Sequence, residues 1–132
     1  MGVYNRPIPG EHVSGDAILV IDFKGSLLLE IADVSGHGPK SHEVSAMISK
    51  YIADNVCRDL SVLMTGLHKV LVGTLGAAAG LLLLDIASQT FQSLGIGNTG
   101  ANRCVGEFWN FDDVDRRYFR SCGQSICSIP CL

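Results

Sequence analysis

The feature that most constrains the fold of this chain is a pair of apolar runs separated by two residues. Ala17–Phe23 reads AILVIDF, Lys24-Gly25 separates the runs, and Ser26–Val34 reads SLLLEIADV. Two such runs around an x-Gly pair are typical of a β-hairpin. One face of this hairpin would carry Ile18, Val20, Leu29 and Ile31, and the other Ala17, Leu19, Ile21, Phe23, Leu28 and Ala32. Because both faces are apolar, the pattern predicts a sheet that is covered on both sides, as in a sandwich of sheets flanked by helices.

Two helices are predicted after the hairpin. Pro39 suits the first position of a helix that runs to about Asn55, with its apolar residues on a single stripe. A second helix follows Asp59, which is a suitable N-cap, and Gly73 or Gly76 would end it.

Two further strands are expected at 77–86 and 90–96, and 101–105 is a candidate for another. Residues 1–15 read as an irregular lead-in with room for a short edge strand. The order β-β-α-α-β-β favours antiparallel hairpins, so we expect an α+β fold with helices packed on sheet.

Composition excludes several functional classes. The chain has 10 basic and 13 acidic residues, and this lack of a basic surplus argues against nucleic-acid binding. The charge-free apolar stretch from Val70 to Leu84 is shorter than the roughly 20 residues that a membrane span needs. The first residues do not resemble a signal peptide, so we expect a cytoplasmic protein that binds no membrane. The five cysteines lack the paired spacing of a zinc site and read as ordinary thiols.

Two aspartates are expected to face each other at the open end of the hairpin. If Phe23 pairs with Ser26 across the two-residue turn, then Asp16 pairs with Asp33. Directly opposed side chains lie on one face, where like charges repel. A hard divalent cation between two carboxylates would turn that repulsion into ligation. A bulge would break this register, and the alternative is that both residues end their strands in solvent.

Three short segments carry a resemblance to a known family. SGD at 14–16, IADVSGHG at 31–38 and LGIGNT at 94–99 resemble the bacterial metal-dependent protein phosphatases of the PP2C type, in particular the RsbX-like stress-signalling branch. The resemblance covers roughly residues 8–105. It implies an α-β-β-α sandwich of antiparallel sheets with a binuclear Mn²⁺ or Mg²⁺ site, which performs metal-assisted hydrolysis of phosphoserine or phosphothreonine. The implied partners are phosphorylated proteins such as the STAS-domain scaffold proteins of a stressosome.

The same resemblance implies roles for individual residues. Asp16 would bind one metal ion, Asp33 would bind one or bridge both, and the backbone carbonyl of Val34 would contribute. His37 follows this segment, and a histidine there could protonate the leaving seryl oxygen, or it could be a loop residue in solvent.

The end of the sequence departs from the family pattern. We expect a phosphatase-like domain at 1–106 and a divergent tail at 107–132 that completes or replaces the end of the same domain, as in a truncated chain. The tail lacks the family's Ser-Asp-Gly segment and its late aspartate loop, so Asp112 and Asp113 receive no role. The alternative function is a catalytically weak phosphatase-like module that binds phosphoproteins. The GIGNTG run at 95–100 would indicate a nucleotide site only if a helix followed it.

Overall fold

The computed structural model of the chain describes residues 3–97 and one short strand near the end. The strands are β1 (Asp16–Phe23), β2 (Ser26–Val34), β3 (Ala77–Asp85), β4 (Thr90–Ile96) and β5 (Ser125–Ser128), and the helices are α1 (Pro39–Asp54) and α2 (Leu60–Leu71). All strands form one antiparallel sheet in the order β1-β2-β3-β4-β5. The predicted α+β class and element order are therefore confirmed.

Some sequence predictions lie outside the described residues. They are the strand at 101–105, a helix after Gly100, and the tail at 107–132 apart from β5. Residues 3–15 are described, and they form no edge strand. No helix in the described part of the chain is both long enough and apolar enough to cross a membrane.

The β1–β2 hairpin has the predicted register. Lys24 and Gly25 both have positive φ angles, 49° and 76°. Two such residues match the right-handed twist of the strands that they connect. Phe23 pairs with Ser26, and the ladder continues without a bulge to Asp16 and Asp33.

The core lies between one face of the sheet and the two helices. α1 packs on β1 and β2, while α2 packs on β3 and β4. The fully buried side chains on this side include Leu28, Ile48, Ile52, Leu63, Leu67 and Leu81. The helices pack closely where Gly66 of α2 meets the Tyr51 hydroxyl of α1, a contact that leaves no space for a side chain at position 66.

The opposite face of the sheet is covered less completely. Leu82 and Phe91 are buried there, but Val20, Leu29 and Ile31 are only half-buried, and Ile18 is 38% exposed. The described residues form one sheet and one layer of helices. The apolar pattern predicts that this second face is covered, but the described residues cover it only in part.

The helix boundaries have local causes. α1 follows Gly38, whose φ of 75° suits glycine, and begins with Pro39. The carboxylate of Asp59 accepts hydrogen bonds from the first backbone N–H groups of α2, which confirms the predicted N-cap. α2 ends at Leu71, slightly before the predicted glycines, because Thr74 turns back and donates to the Leu71 carbonyl.

Candidate metal centre

Asp16 and Asp33 face each other across the open end of the hairpin. They are Cα partners in the β1–β2 ladder, and both residues are exposed. Within residues 3–97, neither carboxylate has a hydrogen bond or an ion pair with a side chain. Opposed carboxylates lie about 5 Å apart at Cβ and repel each other. The predicted pairing of the two aspartates is confirmed, and a cation between them would offset their repulsion.

Two glycine-containing loops bring the strand ends together over the start of α1. The Ser41 hydroxyl donates to the Ser35 carbonyl over 3.3 Å, and His42 Nδ1 donates to the Ser14 carbonyl over 3.1 Å. A Cβ at Gly15 would lie 2.8 Å from the Ser41 Cβ, which is closer than such atoms approach. The SGD segment needs its glycine because helix α1 packs directly against it.

The backbone of Asp16 is held on both sides. Its N–H donates to the Ser14 hydroxyl over 3.1 Å, and its carbonyl accepts from the Asn5 side-chain amide over 2.8 Å. Asn5 is a contributor that the sequence analysis missed, since no spacing rule links an irregular lead-in to a strand eleven residues away. These contacts leave the Asp16 carboxylate free and fix its backbone.

Val34 can contribute only through its main chain. Its side chain is 2% exposed and belongs to the core. It pairs with Ala77 of β3, and the next N–H, that of Ser35, donates to the Gly76 carbonyl over 3.1 Å. The predicted use of the Val34 carbonyl is compatible with this placement.

His37 lies in the loop between β2 and α1 and is bound by a carboxylate. Its Nδ1 is 2.7 Å from Glu11 Oε1, and its side chain is 70% exposed. Glu11 was absent from the sequence predictions. The Pro9-Gly10 pair predicts a turn just before Glu11. The sequence does not show, however, in which direction that turn places the Glu11 side chain.

The donors at the strand ends fit a hard cation. Carboxylate and carbonyl oxygens are the ligands that Mg²⁺ and Mn²⁺ prefer. Over residues 3–97, no group of three or more histidine, cysteine, aspartate or glutamate side chains is close enough together to hold a metal ion. Among the described residues, no third histidine, cysteine, aspartate or glutamate therefore joins the two aspartates as a candidate ligand.

Comparison with known proteins supplies the fold family. The chain is similar to a chain in a structure of the bacterial stressosome, a modular system that has been adapted to control secondary messenger signalling. The two chains are 30% identical and superpose with a TM-score of 0.71, and the match covers 74% of this chain and 51% of the other. It is also similar to RsbX crystallised in complex with magnesium, with 19% identity, a TM-score of 0.72 and coverage of 96% and 65%. The chain has a PP2C-like fold.

A third similarity agrees with this assignment. The PP2C phosphatase domain of SpoIIE, a cell fate determinant of Bacillus subtilis, aligns with 17% identity and a TM-score of 0.64 over 91% of this chain and 38% of that one. No protein-family model and no curated protein sequence matches the chain. The chain spans about half the length of the stressosome chain and about two thirds of RsbX.

Proposed function

We propose that this chain is a metal-dependent phosphoserine/phosphothreonine protein phosphatase of the PP2C type, from the RsbX-like branch that acts in stress signalling. The observation that carries the proposal is the unpaired, opposed pair of Asp16 and Asp33 at the open end of a PP2C-like hairpin. The likeness to RsbX with magnesium and to the SpoIIE phosphatase domain supports it.

Each site residue has a distinct task in this proposal. Asp16 and Asp33 hold Mn²⁺ or Mg²⁺ through their carboxylates, with the Val34 carbonyl as a further oxygen. The bound metal would activate water and offset the charge of the phosphoryl group. His37, exposed at the loop before α1, would give a proton to the serine or threonine oxygen as it leaves.

The substrates proposed are phosphorylated proteins of the stressosome, with STAS-domain proteins as the first candidates, in the cytoplasm. The support is the 30% identity to a chain of a stressosome structure. The pairing of β5 with β4 also supports the proposal that 107–132 completes the domain formed by 1–106, because β5 extends the same sheet.

Hydrolysis of a phosphoserine peptide in the presence of Mn²⁺ tests the proposal. Asp16→Asn and Asp33→Asn should each lower the rate at least ~10²-fold, since each removes a charged ligand. Asp22→Asn is the matched control, because Asp22 is an exposed aspartate on the same strand and face as Asp16 but near the turn. Equal rates for Asp33→Asn and the control would refute the proposal.

A second candidate function is a phosphoprotein-binding module without turnover. It is favoured by the presence of only two metal-suited carboxylates at this site among the described residues. A chain with this function would bind a phosphorylated peptide more tightly than the unphosphorylated peptide, and it would release no phosphate at any Mn²⁺ concentration.

A further inference from the structure

Glu11 is held against the loop that carries His37. The Glu11 N–H donates to the Ile8 carbonyl over 3.1 Å, which closes a turn in which Gly10 has a φ of 96°. This turn directs the side chain toward α1, where a Cβ at Gly38 would lie 3.1 Å from Glu11 Oε2. Glycine at position 38 therefore leaves the space that the carboxylate occupies.

The contact between Glu11 and His37 leaves one ring nitrogen available. Glu11 Oε1 accepts from Nδ1 of His37 at 2.7 Å, and the Glu11 side chain is itself only 25% exposed. Nε2 has no hydrogen-bond partner within residues 3–97. A partner on one nitrogen decides which nitrogen carries the proton in a neutral imidazole.

We propose that Glu11 is a positioning residue for His37, which fixes the ring with Nδ1–H on the carboxylate and Nε2 turned to the substrate. This inference rests on the proposed phosphatase function. In the charged ring, Nε2–H is then the proton donor. As the bond between phosphorus and the serine oxygen breaks, that oxygen takes the Nε2 proton, and the neutral ring keeps Nδ1–H on Glu11. Water supplies the new oxygen on phosphorus and releases its proton to solvent.

A purely structural role for Glu11 makes different predictions. The first turn of α1 has no acidic residue and no side-chain cap, so the Glu11 carboxylate also offsets the positive end of that helix. If this were its only role, its removal would weaken folding and slow all substrates alike. A positioning role for a proton donor instead depends on how much the leaving group needs a proton.

The experiment compares two substrates with Mn²⁺ present. In Glu11→Ala, we expect kcat for a phosphoserine peptide to fall at least ~10-fold, because proton donation contributes about 10²–10⁴-fold. KM should stay unchanged, and kcat for p-nitrophenyl phosphate should stay within about twofold, since nitrophenolate leaves without a proton. Glu43→Ala, which removes an exposed glutamate of α1, is the control. Equal losses on both substrates would overturn the proposal.

A second readout does not depend on turnover. In ¹⁵N-edited NMR spectra, the neutral His37 ring of the unaltered chain should carry its proton on Nδ1, and Glu11→Ala should move it to Nε2. An unchanged tautomer refutes the positioning role. A chain that hydrolyses neither substrate refutes the proposed function, while the tautomer still shows whether Glu11 sets the proton on His37.

Glu11→Gln provides the test if the alanine variant fails to fold. The glutamine keeps the size and an accepting oxygen, so the tautomer should persist. Its neutral amide stabilises the charged ring less well, so kcat for the phosphoserine peptide should fall severalfold and kcat for p-nitrophenyl phosphate should not. A glutamine variant with the rate of the unaltered chain on both substrates contradicts the proposal.

Discussion

Glu30 makes the stability of this fold depend on pH. It is the only ionisable side chain buried in the core of the described residues, where it is 1% exposed between β2 and α1. Its neighbours across the sheet are Leu19 and Leu81. Oε2 accepts a hydrogen bond from the Ser49 hydroxyl over 3.2 Å, and Oε1 has no partner within residues 3–97. An ionised carboxylate is poorly satisfied in these surroundings.

Burial raises the pKa of Glu30 from 4.5 to about 7, although the hydrogen bond from Ser49 acts in the opposite direction. Below pH 4.5 the carboxyl is protonated in the folded and the unfolded chain, and the fold carries no penalty. Between these two values the unfolded chain loses the proton first, so stability falls by about 1.4 kcal/mol per pH unit. Above pH 7 both states are ionised, and the penalty levels off at about 3 kcal/mol.

Urea unfolding of the unaltered chain and of Glu30→Gln measures this effect. Glutamine keeps the shape of the side chain but does not ionise. The difference in unfolding free energy should therefore shift by about 2 kcal/mol in favour of the glutamine variant between pH 5.5 and pH 8. Glu43→Gln is the matched control, since this exposed glutamate lies on α1 and should leave the pH dependence unchanged.

Parallel pH curves for the unaltered chain and Glu30→Gln would refute the argument. They would mean that the carboxylate is solvated or paired in the folded chain. A curve in which the unaltered chain gains stability above pH 5.5 relative to Glu30→Gln would refute the sign as well.

Three other features of the fold give further predictions. Gly66→Ala should destabilise the chain by about 1–3 kcal/mol in urea, because the new methyl group overlaps the Tyr51 hydroxyl, and Tyr51→Phe should relieve part of that loss. Asp59→Ala should cost about 1 kcal/mol through loss of the α2 cap, measured in the same way. Hydrogen bonds from Ser88 and Arg58 hold the pKa of Asp85 well below its usual range. The ionised carboxylate therefore stabilises the folded chain at neutral pH, and this stabilisation is lost as acid protonates it. Arg58→Ala should therefore cost more stability at pH 7 than at pH 2 in urea unfolding, although the loss stays small because the ion pair is exposed.

The hairpin and the helices were predictable because local chemistry determines them. The Lys24-Gly25 turn fixes the register of β1 and β2, and the alternation of side chains follows from that register. Asp59 caps α2 through its own neighbours along the chain. The pairing of β3 with β4 also follows from the short connection between these two antiparallel strands, whereas β2 and β3 pair across both helices, which no local signal predicts.

The candidate site was predictable only where it depends on the ladder. The pairing of Asp16 with Asp33 follows from counting residues back from the turn. Glu11 and Asn5 reach the site because the irregular segment before β1 folds back onto it. That segment has no hydrophobic periodicity from which its path could be predicted. Glu30 was also missed, although the hairpin register places it between Leu28 and Ala32 on a face that the apolar pattern predicts to be covered.

Binding of Mn²⁺ to the intact chain tests the metal centre most directly. Isothermal titration should show Mn²⁺ bound to the unaltered chain and to Asp22→Asn. Asp16→Asn and Asp33→Asn should each weaken that affinity by at least ~10-fold, because a carboxylate ligand is replaced by a neutral amide. Equal affinity in all four proteins would contradict the assignment of the opposed aspartates as the metal centre.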